Sequence, residues 1–148
     1  MRLEVLIPGV LLVASLSAAQ PGSSATDERD QDGLTPLMRA SARGDLNAVN
    51  ELLGMGASPD ARSAPFALTA LMCAAYHGHT DVMKALITKG ANVRVQDGTG
   101  AGAIDWAVVG SRTAAEALLA QSGAAMNPFL NIVNLPLTLM EKAAEKRK

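Results

Sequence analysis

Two stretches decide the fold: TPLMRA at residues 35–40 and TALMCA at residues 69–74. The Thr35 hydroxyl can satisfy an orphan amide at the start of a helix, and Pro36 suits the first turn because its missing N–H has no intrahelical partner to lose. Leu37, Ala40 and Ala42 then lie on or near one face, where the small alanines let a second helix approach. Gly44 permits a tight turn into a second helix over Leu46 to Leu53, which Gly56 ends by taking a left-handed conformation. The same plan predicts helices near 69–77 and 80–88, then near 103–109 and 113–121.

Outward from these stretches, the chain repeats. Leu37, Leu71 and Ile104 are separated by 34 and then 33 residues. The same two intervals separate Ala40, Ala74 and Ala107; Leu52, Leu86 and Leu119; Gly56, Gly90 and Gly123; and Ala57, Ala91 and Ala124. A single helix pair cannot bury both of its apolar faces, so stacking of neighbours must create the core, and about three units is the usual minimum. Three units are expected, at about 30–63, 64–96 and 97–126, forming a domain over 30–126.

Composition agrees. Two Phe, one Trp and one Tyr in 148 residues, at 49% hydrophobic content, favour an all-α fold packed through small residues over a β-sandwich. A formal net charge of -1 gives no electrostatic attraction for nucleic acid. Cys73 is the only cysteine, so no intramolecular disulfide can contribute and stability rests on packing.

A period of about 33 residues carrying TPLMRA and TALMCA, with turn glycines at Gly44 and Gly78 and GANV at 90–93, resembles the ankyrin repeat. The resemblance covers about residues 30–126 and implies an ankyrin-repeat solenoid of three stacked helix-turn-helix units. The third unit is degenerate: Gly102-Ala103-Ile104-Asp105 replaces the Thr-Pro-Leu-His signature, and Ser111 stands where glycine is usual. The signature histidine is Met38, Met72 and Asp105 in turn, so its hydrogen bonding is expected to be missing and the array to be less stable than an ideal one.

The ends lie outside the period. Met1 to Ala19 has Arg2, a charge-free run from Val5 to Leu16, and small residues at Ser17, Ala18 and Ala19, which reads as a signal peptide cleaved after Ala19, with an uncleaved membrane anchor as the alternative that the short apolar run disfavours. Residues 20–29 read as a flexible leader. At the other end, residues 127–148 read as a helical cap or tail. Asn127-Pro128 resembles a helix start, and Phe129, Ile132, Val133, Leu137, Met140 and Ala144 recur at helical spacing through a kink at Pro136. The expected role is a capping helix folded over the third unit. The alternative is an amphipathic membrane anchor, suggested by the basic finish at Lys142, Lys146, Arg147 and Lys148.

No catalytic constellation can be assembled, so the chain is read as not an enzyme and no cofactor is expected. His77 and His79 flank Gly78, but only Asp81 is near as a third ligand, so no metal site is expected. Cys73 reads as a small buried hydrophobe, and Met38, Met55, Met72 and Met83 as core filler. What the resemblance implies instead is protein binding on the concave strip of hairpin tips and first helices. Carried onto this sequence, that strip holds Asp32, Leu34, Arg43, Arg62, Pro65, Phe66, Leu68, Tyr76, His77, Gln96 and Thr99, with Phe66, Tyr76 and Arg43 as preferred hot spots. The expected function is a monomeric, non-catalytic protein-binding module, periplasmic or otherwise secreted, that stabilises its partner. Membrane contact is expected only through the C-terminal tail.

Overall fold

The computed structural model describes residues 25–128 and 136–145. The signal-peptide reading, the first half of the leader, Phe129, Ile132, Val133 and the basic residues 146–148 lie outside that range. The described residues form seven α-helices and no strand: α1 (Pro36–Arg43), α2 (Leu46–Gly54), α3 (Ala70–His77), α4 (Thr80–Thr88), α5 (Ala103–Val109), α6 (Thr113–Gln121) and α7 (Leu137–Ala144). Helices α1, α3 and α5 stack as an inner layer, and α2, α4 and α6 stack behind them.

The first two units start as the sequence predicts. Thr35 Oγ1 accepts the Met38 amide at 3.3 Å and Thr69 Oγ1 accepts that of Met72 at 3.4 Å. Gly44 and Gly78, at φ 73° and 81°, end α1 and α3 in left-handed geometry. Leu37, Leu71 and Ile104 are all buried, as are Ala40, Ala74 and Ala107, so the registers read from the period occupy equivalent places in the core. Each buried leucine contributes at most about 1.5–3 kcal/mol by apolar burial.

Neighbouring units are also laced by hydrogen bonds that span about one period. Arg29 Nε donates to the Arg62 carbonyl at 2.7 Å, Arg62 Nη1 to that of Gln96 at 3.1 Å, and Arg94 Nε to that of Gly123 at 3.1 Å. Asp27 Oδ1 accepts the Ser58 amide and Asp60 Oδ1 that of Asn92. The last part of the leader, expected to be flexible, is therefore tied to unit one, and Ala25–Asp27 forms a 3-10 turn.

Four further expectations need correction. The C-terminal segment does form a helix, but α7 packs on α1 and α3 rather than over the end of unit three. Pro136 stands at its N-cap instead of kinking it. Asn127 starts no helix: its amide donates to Asp105 Oδ1 at 3.0 Å and its Nδ2 to the Gly100 carbonyl at 2.7 Å, which ties it to the hairpin and first helix of unit three. Of the four methionines read as core filler, Met38, Met72 and Met83 are buried, but Met55 at the end of α2 is 63% exposed because Gly56 turns the chain away beside it.

Candidate protein-binding face

The inner face is built on α1 and α3 with the hairpins that precede them. Each hairpin is closed at its base by one polar side chain. Asp30 Oδ1 accepts the amides of Asp32 and Leu34, Asp97 Oδ1 accepts those of Thr99 and Ala101, and Ser63 Oγ accepts that of Leu68. The middle hairpin spans one residue more than the other two. The tips are cross-linked: the Ala64 amide donates to the Gly33 carbonyl at 3.0 Å and the Gly98 amide to the Phe66 carbonyl at 2.8 Å. A row of tips at fixed spacing results, which carries Pro65 and Phe66 outward; Phe66 is 37% exposed.

Only part of the predicted strip is open. Arg43, Arg62, Pro65, Phe66 and Gln96 are exposed, with Arg62 lying along Gln96 through its backbone contact. Thr99 is half-buried and donates its hydroxyl to Asp97 Oδ1 at 2.6 Å. Leu34 and Leu68 are fully buried at the hairpin bases, which removes them from any contact surface. The sequence register that places them beside the tips cannot show that the closing bonds to Asp30 and Ser63 turn their side chains inward.

Tyr76 is half-buried, meeting His77 edge-on at 5.0 Å and Trp106 at 5.9 Å between ring centroids. It is thus packed into the stack between α3 and α5, and its value as a free hot spot falls accordingly. Asp32 is paired with Arg39, and His77 lies against α7.

Helix α7 packs on this face, chiefly against α1 and less against α3. Pro136, Leu139, Met140 and Ala143 are buried beneath it, while Thr138, Glu141, Lys142 and Glu145 face solvent. Arg39 Nη1 donates to the Lys142 carbonyl at 2.8 Å, and His77 Nε2 is 3.0 Å from the Met140 carbonyl oxygen, to which the Nε2–H tautomer donates. Arg39 itself is nearly buried and forms ion pairs with both Asp30 and Asp32. Burial raises the Asp30 carboxyl, but the hydrogen bonds from Arg39 and the Leu34 and Asp32 amides outweigh it and hold the group below the usual range. Burial likewise lowers the His77 imidazole below its ordinary value, with the Met140 carbonyl acting in the opposite sense and His79 in the same one.

Arg39 and the place where α7 docks are what reading the sequence missed, although the C-terminal helix itself is expected from it. A signal existed: Arg39, Cys73 and Trp106 hold one register at intervals of 34 and 33, and a guanidinium at a position otherwise filled by a thiol and an indole demands buried partners. Cys73 is buried as expected, and burial pushes its thiol up to about 12 against the lowering influence of Arg39. His79 spends its ring on the Ala42 carbonyl at 3.1 Å, a structural bond between units one and two. Among the described residues, no three His, Cys, Asp or Glu side chains gather as a metal site.

The pattern has known counterparts. Residues 37–129 match the model for ankyrin repeats in three copies. Over 74 residues the chain is 39% identical to mouse "Ankyrin repeat and SAM domain-containing protein 6", which covers 50% of this chain and 8% of that protein. The rat protein of the same name is 38% identical over 74 residues. "Ankyrin repeat, SAM and basic leucine zipper domain-containing protein 1" of Notamacropus eugenii is 38% identical over 71 residues, 48% of this chain and 14% of that one. The chain thus matches only a small fraction of the length of these relatives.

Proposed function

This chain belongs to the ankyrin-repeat family, whose repeats generally serve protein–protein interaction, and from that premise we propose that it is a non-catalytic module that binds a partner protein in an exported compartment. The observation that carries the reading is the cross-linked row of hairpin tips, where Ala64 bonds Gly33 and Gly98 bonds Phe66. A rigid row with an exposed aromatic is pre-organised, so little ordering entropy is lost on binding. Phe66 and Arg43 are the preferred hot spots, with Arg62 and Gln96 beside them, because aromatic and arginine side chains dominate binding energies. Binding to these tips would stabilise a partner by mass action. The tail-anchored membrane reading is weaker, since Leu139, Met140 and Ala143 are buried in the domain and not available to lipid.

The test is capture from an extracytoplasmic extract with the chain starting at Gln20 as bait. Replacing Phe66 and Arg43 together by alanine is expected to reduce capture at least about tenfold, the effect of one to two hot spots. Helical content and melting should not change, because both side chains are exposed. Undiminished capture would discard the hairpin tips as the surface. For export, the purified protein is expected to begin at Gln20 on N-terminal sequencing; a retained Met1 would refute the cleaved signal.

A further inference from the structure

Helix α7 sits on the inner face as a bound helical peptide would. Its buried positions, Pro136, Leu139, Met140 and Ala143, follow the stripe i, i+3, i+4, i+7. The polar grip comes from the repeats and addresses main-chain oxygens only: Arg39 holds the Lys142 carbonyl and His77 that of Met140. The Lys142 carbonyl also accepts the Glu145 amide at 3.2 Å, but it lies in the last turn, where carbonyls carry partial negative charge, so a guanidinium there recognises a helix C-terminus whatever its side chains. Arg39 is held for this by its ion pairs to Asp30 and Asp32, present in the repeat domain itself. The groove therefore reads an apolar stripe and a C-terminal end, two features many amphipathic helices share.

We propose that the face of α1 and α3 is a helix-receiving groove in which α7 is the built-in occupant, and that a protein partner enters it by presenting an amphipathic helix of the same apolar spacing, displacing α7. This rests on the reading of the chain as a protein-binding module and specifies how it binds. Because α7 belongs to the same chain, it competes at an effective concentration on the order of millimolar. An external helix must therefore meet the intact chain as a weaker binder than its true fit to the groove allows.

The experiment uses a synthetic peptide of residues 127–148, titrated to millimolar concentration into the full chain and into its Met140→Glu variant, followed by NMR. A buried carboxylate at position 140 unseats α7, while the contacts between stacked repeats are untouched. The peptide is expected to bind the variant at least about tenfold more tightly than the parent chain. A peptide carrying the same substitution should bind neither. Equal affinity for both chains, or binding to neither while exchange at 137–144 shows α7 released, overturns the groove.

If Met140→Glu does not fold, the parent chain carries the test. Excess peptide must then move the Met140 methyl signal of the chain to an exposed position, and an unmoved signal refutes the proposal. A concentration-dependent dimer that exchanges α7 between copies would also refute it. Capture through Phe66 and Arg43 without any peptide binding overturns the groove and leaves the binding module standing. Peptide binding with no effect of Phe66 and Arg43 on capture supports the groove and removes the tips.

Discussion

Units two and three build the same helix pair from different residues. In unit two, Thr69 caps α3, Gly78 takes the left-handed turn, and His79 reaches back to the Ala42 carbonyl. In unit three, Gly102 has no capping side chain, and Asp105 instead turns back to accept the Gly102 amide at 2.8 Å. Ser111 adopts the left-handed turn at φ 57°, and Arg112 Nε reaches the Tyr76 carbonyl at 3.3 Å, the bond equivalent to that of His79. The repeat therefore conserves tasks along the chain more than side chains: one amide capped, one turn reversed, one carbonyl of the previous unit satisfied. The hydrogen bonding expected to vanish with the signature histidine is thus partly replaced, since Asp105 occupies that very position and also accepts the Asn127 amide.

The sharpest contrast is at the shared register of Cys73 and Trp106, both fully buried. Trp106→Ala should destabilise by about 3–5 kcal/mol, because an indole leaves a large cavity between α5 and its neighbours. Cys73→Ala should cost only about 1 kcal/mol, a small change in volume. Urea unfolding measures both, and similar losses would break the claim that unit three compensates its weak signature with bulk. Next in size, Asp97→Ala strands the Trp106 indole N–H, which its Oδ2 accepts at 3.0 Å, together with the amides of Thr99 and Ala101. A loss of about 3 kcal/mol is expected, from about 1–3 kcal/mol for each buried group left unsatisfied and partial recovery by water. Ser63→Ala, at the matching hairpin of unit two, breaks a single bond and should lose about 1 kcal/mol.

These contrasts also mark what could be read without coordinates. The six repeat helices were legible because period, capping threonines and turn glycines each dictate local geometry, and they end within a residue or so of the expected places. The inner face was legible in register but not in occupancy. Arg43, Phe66 and Gln96 are exposed as expected, whereas Leu34 and Leu68 are hidden by hairpin closure and His77 is half-covered by α7. Where α7 docks depends on contacts separated by 103 residues, Arg39 to Lys142, and by 63, His77 to Met140. A helix with one apolar stripe can cover the end of the stack or its inner face, and only the partners of buried Arg39 distinguish the two.

A smaller effect separates the two turns. Ser111→Gly should stabilise unit three by about 0.5–1 kcal/mol, since a residue with Cβ is strained in the left-handed region that it occupies. The reverse change in unit two, Gly78→Ser, should destabilise by more than this. A Cβ there meets Arg112 Cδ at 2.8 Å and so also disturbs the bond from Arg112 to the Tyr76 carbonyl. Melting temperatures of the two variants must therefore move in opposite directions. If Ser111→Gly lowers stability, the serine has a task beyond turning the chain.

The smallest expected effect lies where His77 in unit two shares a register with Gly110 in unit three. Gly110 is small because a Cβ would stand 2.1 Å from the Tyr76 carbonyl oxygen, whereas His77 reaches out to α7. Burial favours the neutral imidazole of the folded chain, with His79 and Arg112 adding to that preference and the Met140 carbonyl and Glu141 opposing it. The folded pKa thus lies below the unfolded value near 6.5, so the stabilisation is complete above that value and is lost as pH falls through the folded one. Amide exchange at residues 137–144 should accelerate relative to that of α4 between pH 7.5 and about 5, after correction for intrinsic rates, with half-exposure keeping the change small. His77→Gln retains a donor for the Met140 carbonyl but cannot titrate, so in that variant the ratio should stay constant. A ratio that still varied with pH would place the sensitivity elsewhere than between α3 and α7.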